Sequence, residues 1–372
     1  MIGKEGFTLI KKSVKTKIAA ACLAGTLAVG FQGAAAPAAA EAFSLGSVIG
    51  AAVGGAITAA QVNSTIKHYN NSEEGRQAYF QALQNQLGVN SDPYLNSRLA
   101  TIMTNLTQAI GQVDSTVYDK PYNYFINNEQ SFNAFCALGH NMSVNTGLFN
   151  LVDNDDEIAV VLGHEMGHGQ KDHPAKGMKR AIGPQILANA AGGGLIGVAG
   201  VLVANTWNNQ GITKPQEWEA DNLAFEYITH SPYNPGACAA IWQRVLERGG
   251  DSSSSFATFM AGGSDHPSHS ARRDNYAKKL HEYSGKHVTV KDGRVQVNGK
   301  DFVTPAAGAG MSGAERSYFV AGNLSAAFHN GHNKSAATVQ GNIVMLGAQP
   351  VMECLSGDEG AQALADRLNT IK

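Results

Sequence analysis

The chain has 372 residues, 43% of them hydrophobic and 16% charged, with a formal net charge of −2. That balance excludes a disordered chain and removes any bulk electrostatic pull toward nucleic acid, so no nucleic-acid partner is expected. Most of the length has no apolar run of about 18 residues, which argues against a polytopic membrane protein.

In chain order, residues 1–40 read as a secretory signal peptide. Lys4, Lys11, Lys12, Lys15 and Lys17 precede an uncharged stretch from Ile18 to Phe31, and Ala38-Ala39-Ala40 offers a cleavage site before Glu41. An uncleaved anchor and a lipidated Cys22 are the alternatives. All three export the bulk of the chain, to a periplasm or cell envelope. Past the leader, Cys136, Cys238 and Cys354 are too few and too widely spaced for a disulfide framework. Residues 41–70 form an apolar Gly/Ala-rich segment, in which Gly46, Gly50 and Gly54 recur every fourth position. Such spacing lets helices approach closely, as a peripheral or self-associating helix or as a span in contact with membrane.

From Ser72 to Gly111 the spacing is helical, with Tyr79, Leu83 and Leu87 on one stripe and Leu95, Leu99, Ile102 and Leu106 on another, and Pro93 in the turn between them. Val117 to Ser143 alternates in short strand-like pieces. A long helix is expected from Asp153 to about Lys171, its first turn acidic as the helix dipole favours. The uncharged stretch Ala181 to Trp207 then separates it from a second helix, Pro215 to Thr229. That stretch suits a lid, a membrane-contacting hairpin or a pair of packed helices. After Gly285 the composition changes. Val288-Thr289-Val290, Asp292-Gly293 and Val295-Gln296-Val297 signal a hairpin, Ala337 to Cys354 further strands, and Gly357 to Ile371 a closing helix. No internal repeat is evident. The expectation is an α+β chain with a main domain at 71–284 and a small α+β module at 285–372.

The chemistry concentrates in Gly163-His164-Glu165-Met166-Gly167-His168. On a helix, positions four apart share a face, so His164 and His168 can present two imidazoles to one cation, and Glu165 projects beside them toward a metal-bound water. A catalytic Zn²⁺ takes three protein ligands and keeps a fourth position open. Glu217 is the expected third ligand. Asp221, its i+4 partner, is expected to accept the free N–H of a ligating histidine, whereas Glu219 points away from that face. Downstream, Arg272 suits a developing oxyanion, and His266 the open metal position.

Asn133-Ala134-Phe135 to Thr146-Gly147, His164-Glu165-x-x-His168, Glu217-x-x-x-Asp221 and His266-Pro267 to Arg272 occur in the order of one gluzincin family, which the chain resembles over roughly residues 70–280. That family contains HtpX, the CAAX prenyl protease, BepA and LoiP. The resemblance implies a zincin-like metallopeptidase domain, mainly helical with a small sheet, with His164, His168 and Glu217 as zinc ligands and Glu165 as catalytic base. It further implies Asp221 as orienter, His266 as a regulatory fourth ligand and Arg272 as a transition-state donor, with His173 outside the metal sphere. Where the family continues Pro-Gly-Gly, this chain has Leu138-Gly139-His140. The strand around Met142 to Asn145 is expected in the place of the substrate-binding edge. The expected activity is zinc-dependent endoproteolysis of misfolded or unassembled envelope proteins; the rival is a zinc-containing chaperone or binding protein without proteolysis.

Overall fold

The structure, a computed structural model, describes residues 59–181, 202, 212–249 and 267–372. The expected leader at 1–40, the Gly46/Gly50/Gly54 stripe, most of 181–207 and His266 lie outside the described residues, which all fall in one unit spanning Leu45–Lys372. The architecture is α+β, mainly helical with small sheets.

Two helices open it, α1 (Ala59–Asn71) and α2 (Glu73–Leu87), the second capped by Ser72, whose hydroxyl accepts from Gly75 N–H. Asp92 caps α3 (Pro93–Val113), with Pro93 in its first turn, where a missing N–H costs nothing. Its stripe of Leu99, Ile102, Met103, Leu106 and Ile110 is buried. A three-stranded sheet follows: β1 (Asn123–Asn127), β2 (Ala134–Ala137) and β3 (Asn141–Asn145), in the order β1-β3-β2. Strand β3 pairs parallel with β1 and antiparallel with β2. The expected substrate edge at Met142–Asn145 is therefore the middle strand, and β2 forms the edge beside the site. Between β2 and β3, Gly139 adopts φ 74°, so the turn survives the missing Pro-Gly-Gly. The buried Arg76 holds it through Nε to Gly139 O at 2.7 Å.

Helices α4 (Thr146–Leu151), α5 (Asp155–Gln170), α6 (His173–Ala181), α7 (Lys214–Thr229), α8 (Ala237–Gly249) and α9 (His269–Tyr283) complete this half. Helix α5 starts two residues after the expected Asp153 because Asn154 is the cap, its side chain accepting from Asp156 N–H at 2.8 Å. It is buried on almost every side, and its buried polar side chains are paired, Glu157 with Arg244 and His164 with Asp221.

Residues 288–371 form their own hydrophobic core, and here the expectation of no internal repeat is overturned. Strands β4 (Val288–Lys291), β5 (Arg294–Val297) and β6 (Lys300–Val303) with α10 (Gly313–His329) make one unit. Strands β7 (Ala337–Gln340), β8 (Ile343–Leu346) and β9 (Gln349–Glu353) with α11 (Ala361–Ile371) make a second. The first hairpin pairs Val288 with Val297 and the second pairs Ala337 with Leu346, each residue 49 positions after its counterpart. Even the bulge recurs, between Val295 and Gln296 and between Val344 and Met345. The helices exchange cover: α10 packs on β4, β5 and β9, and α11 on β7, β8 and β6.

The repeat is fastened to the first half by α10. Gly322 lies against Asn234 and Gly236, so close that a Cβ would overlap both. Arg244 of α8 reaches Glu157 of α5 at 2.9 Å and Glu315 of α10 at 3.3 Å, all three buried. Gly322→Val should therefore force the halves apart and destabilise the chain by about 1–3 kcal/mol, as overpacking does. Urea unfolding reads this directly, and an unchanged midpoint would contradict the close seating of α10.

Candidate metal centre and cleft

Two helices build the centre, and small residues decide how near they come. Gly163 and Gly167 of α5 face Ala224 and Ala220 of α7; a Cβ on Gly167 would meet the Ala220 backbone at 3.3 Å. That close crossing carries Glu217 to the histidines. The Nε2 atoms of His164 and His168 are 3.0 Å apart, and Glu217 Oε2 and Oε1 lie 3.5 and 3.4 Å from them. All three residues are buried, with one donor atom each inside a 4.8 Å cluster. Ligands at about 2.0–2.1 Å from a tetrahedral ion stand about 3.3 Å from one another, so the donor set fits Zn²⁺.

Beneath it, Asp221 is fully buried and accepts from four directions. His164 Nδ1 is 2.9 Å from Oδ1, Tyr276 OH 3.0 Å from the same oxygen, and Arg272 donates through Nε to Oδ2 at 2.8 Å and through Nη2 to Oδ1. The guanidinium stacks on Trp242 at 3.8 Å. Burial pushes the Asp221 carboxyl up, but the Arg272 charge and the His164 and Arg272 hydrogen bonds outweigh it and hold it below the usual range. Burial and Arg272 oppose a charge on His164, yet Asp221 and Glu217 more than offset them and push it up to about 9. A cation must displace that proton. Apparent metal affinity is thus expected to rise about tenfold per pH unit up to pH about 9. Calorimetry in two buffers of different ionisation enthalpy should find about one proton released from His164; none released would contradict the assignment.

A cleft opens on these residues, walled by Asn133, Ala134 and Cys136 on one side and Trp242, Arg272 and Tyr276 on the other. Glu165 lines it, its Oε2 accepting from Cys136 N–H of β2 at 3.0 Å. Burial and Glu165 push the Cys136 thiol up, away from reactivity.

The structure thus brings His164, Glu165, His168, Glu217, Asp221 and Arg272 together. His266 cannot be placed, as it lies outside the described residues. One further residue contacts a donor residue: His173 Nδ1 is 2.9 Å from His168 Nδ1, and behind it His173 Nε2 is 3.1 Å from Glu219. Burial pulls the His173 imidazole below its ordinary pKa. Trp242 and Tyr276 also belong to the site, and nothing in their sequence context signalled it.

Comparison with known proteins gives residues 93–278, half of the chain, as a match to Peptidase family M48. Metalloprotease LoiP of Escherichia coli (strain K12) is 30% identical over 167 residues, covering 42% of this chain and 64% of that protein. The beta-barrel assembly-enhancing protease of the same organism is 24% identical over 182 residues, covering 46% and 36%. The mitochondrial metalloendopeptidase OMA1 of Arabidopsis thaliana is 29% identical over 128 residues, covering 33% and 26%. The chain therefore spans less than two thirds of each of these relatives.

Proposed function

Because the chain belongs to Peptidase family M48, we propose that it is an exported zinc endopeptidase hydrolysing peptide bonds of misfolded or unassembled cell-envelope proteins. The observation that carries this reading is the convergence of His164, His168 and Glu217 on one point beside Glu165 in an open cleft. Two imidazoles and one carboxylate, with room for solvent, suit catalytic zinc. When bound, zinc supplies a Lewis acid that acidifies water and polarises the peptide carbonyl.

The remaining work falls to side chains and backbone. Glu165 takes the proton from the attacking water and passes it to the leaving amine. Arg272, on the cleft wall, offers positive charge to the developing oxyanion while its bonds to Asp221 steady His164. His266 serves as a regulatory fourth ligand.

Substrate binding follows from strand geometry. Asn133 O takes Asn145 N–H on the β3 side, so the alternation turns the N–H and C=O of Ala134 and Cys136 outward. Glu165 already holds the outward Cys136 N–H, so an extended peptide paired on β2 would lie against the general base. Main-chain pairing reads little side-chain identity, which suits unfolded substrates. The leader reading and the relative named for beta-barrel assembly support an envelope setting.

The test is cleavage of unfolded casein beside a folded control protein. The zinc-loaded chain should cut only the unfolded one, a chelator should stop it, and added zinc should restore it. If zinc-loaded wild type and Glu165→Gln are equally inert, even with His266→Ala, the enzyme reading falls.

A further inference from the structure

We propose that His173 and Glu219 act together as positioning residues for His168, selecting the tautomer that leaves its Nε2 free for metal. The inference rests on the reading that His164, His168 and Glu217 bind zinc. A ligating imidazole needs its other ring nitrogen held, and the partner there sets both ring angle and tautomer. The two imidazoles of this centre are held differently. His164 Nδ1 meets the Asp221 carboxylate directly at 2.9 Å. His168 Nδ1 meets a second imidazole, His173 Nδ1, at 2.9 Å, and His173 Nε2 meets Glu219 Oε2 at 3.1 Å. Helix α7 therefore backs both ligands with a carboxylate, one in contact and one through an inserted ring.

Proton placement along this series has one consistent solution. A metal on His168 Nε2 leaves the His168 proton on Nδ1, which donates to His173 Nδ1. His173 then carries its own proton on Nε2 and donates it to Glu219. The reverse order would put a proton on His168 Nε2, where the metal must bind. A carboxylate at the far end accepts but does not donate, so Glu219 enforces the productive order from outside the site. Its side chain is 48% exposed, whereas His173 is 1% exposed.

The backbone explains how a residue five positions after His168 returns to it. Helix α5 ends at Gln170, and Asp172 turns the chain with φ 50°. Asn70 Nδ2 and Lys120 Nζ hold the Asp172 carboxylate at 3.0 and 3.3 Å. His173 then opens α6 with its ring 5.0 Å from that of His168, the planes inclined at 66°.

Zinc affinity, read by competition with a chromophoric chelator on the purified full chain, tests the idea without relying on turnover. Glu219→Ala and His173→Phe should each weaken zinc about 10–100-fold. Glu219→Gln, which keeps an acceptor, and His173→Gln, whose amide can accept from His168 and donate to Glu219, should recover part of the loss. The double variant Glu219→Ala/His173→Phe should lose no more than His173→Phe alone, because both act through one series. In the Co²⁺-substituted protein the visible bands should shift in both single variants. Glu226→Gln, an exposed acid on the same helix, should match wild type. Folded single variants within about twofold of a zinc-binding wild type would overturn the relay alone, as would losses that simply add. A wild type that binds no zinc would overturn the relay and the metal reading together.

Discussion

Glu165→Gln is expected to cut peptide hydrolysis by about 10²–10⁴-fold, the usual contribution of a general base, while zinc content stays at one ion per chain. The replacement is nearly isosteric, and the amide oxygen can still accept the Cys136 N–H that Glu165 accepts at 3.0 Å. Glu165 is not among the three clustered donors, so His164, His168 and Glu217 keep their arrangement. What disappears is a group able to take a proton from water. Fluorescent casein hydrolysis set beside metal analysis separates the two properties. Loss of both would make Glu165 a structural residue, and loss of neither would move the catalytic base elsewhere.

Asp221→Ala should be the most damaging change to stability, about 3–5 kcal/mol, because it strands the Arg272 guanidinium in a buried site without its counter-charge. Arg272 is 3% exposed and commits both Nε and Nη2 to that carboxylate. Zinc affinity should fall about 10–100-fold as well, since His164 loses the acceptor of its Nδ1 proton. The acid dependence has a definite sign. The Asp221 pKa is lowered in the fold, so the stability it supplies is complete above the ordinary aspartate value of about 3.9 and is lost as pH falls through the lower folded value. The gap between wild type and variant should therefore be widest near neutrality and narrow in strong acid. Urea titrations at several pH values measure it; a constant gap would show that Asp221 is not held ionised by Arg272.

How much of this was legible in the chain follows from which contacts are local. His164 and His168, and Glu217 and Asp221, are i,i+4 pairs, so once each helix is recognised its shared face follows. That Glu217 would join the two histidines was expected from ligand chemistry and supported by the resemblance; the close crossing of α5 and α7 that allows it, Gly163 and Gly167 against Ala224 and Ala220, was not read from the chain. The acceptor role of Glu219 was hidden because it lies off the ligand face and works through His173, which returns only by way of the Asp172 turn. Strand order was hidden too: alternation reveals strands but not that the later one inserts between the earlier two. The repeat escaped because few identities persist, among them Thr289 with Thr338 and Val295 with Val344. Its turns also changed chemistry. Asp292 and Gly293 both take positive φ, whereas in Gly341-Asn342 only the glycine does, a switch between the two hairpin turn types.

The exchanged cover of the helices in residues 288–371 makes the two units interdependent for folding. Since α11 shields β6 as well as β7 and β8, removing α11 would bare apolar surface in both sheets, including Phe302 and Val303 of the first unit. Either unit alone would leave part of its sheet uncovered, so the two are expected to unfold as one cooperative element.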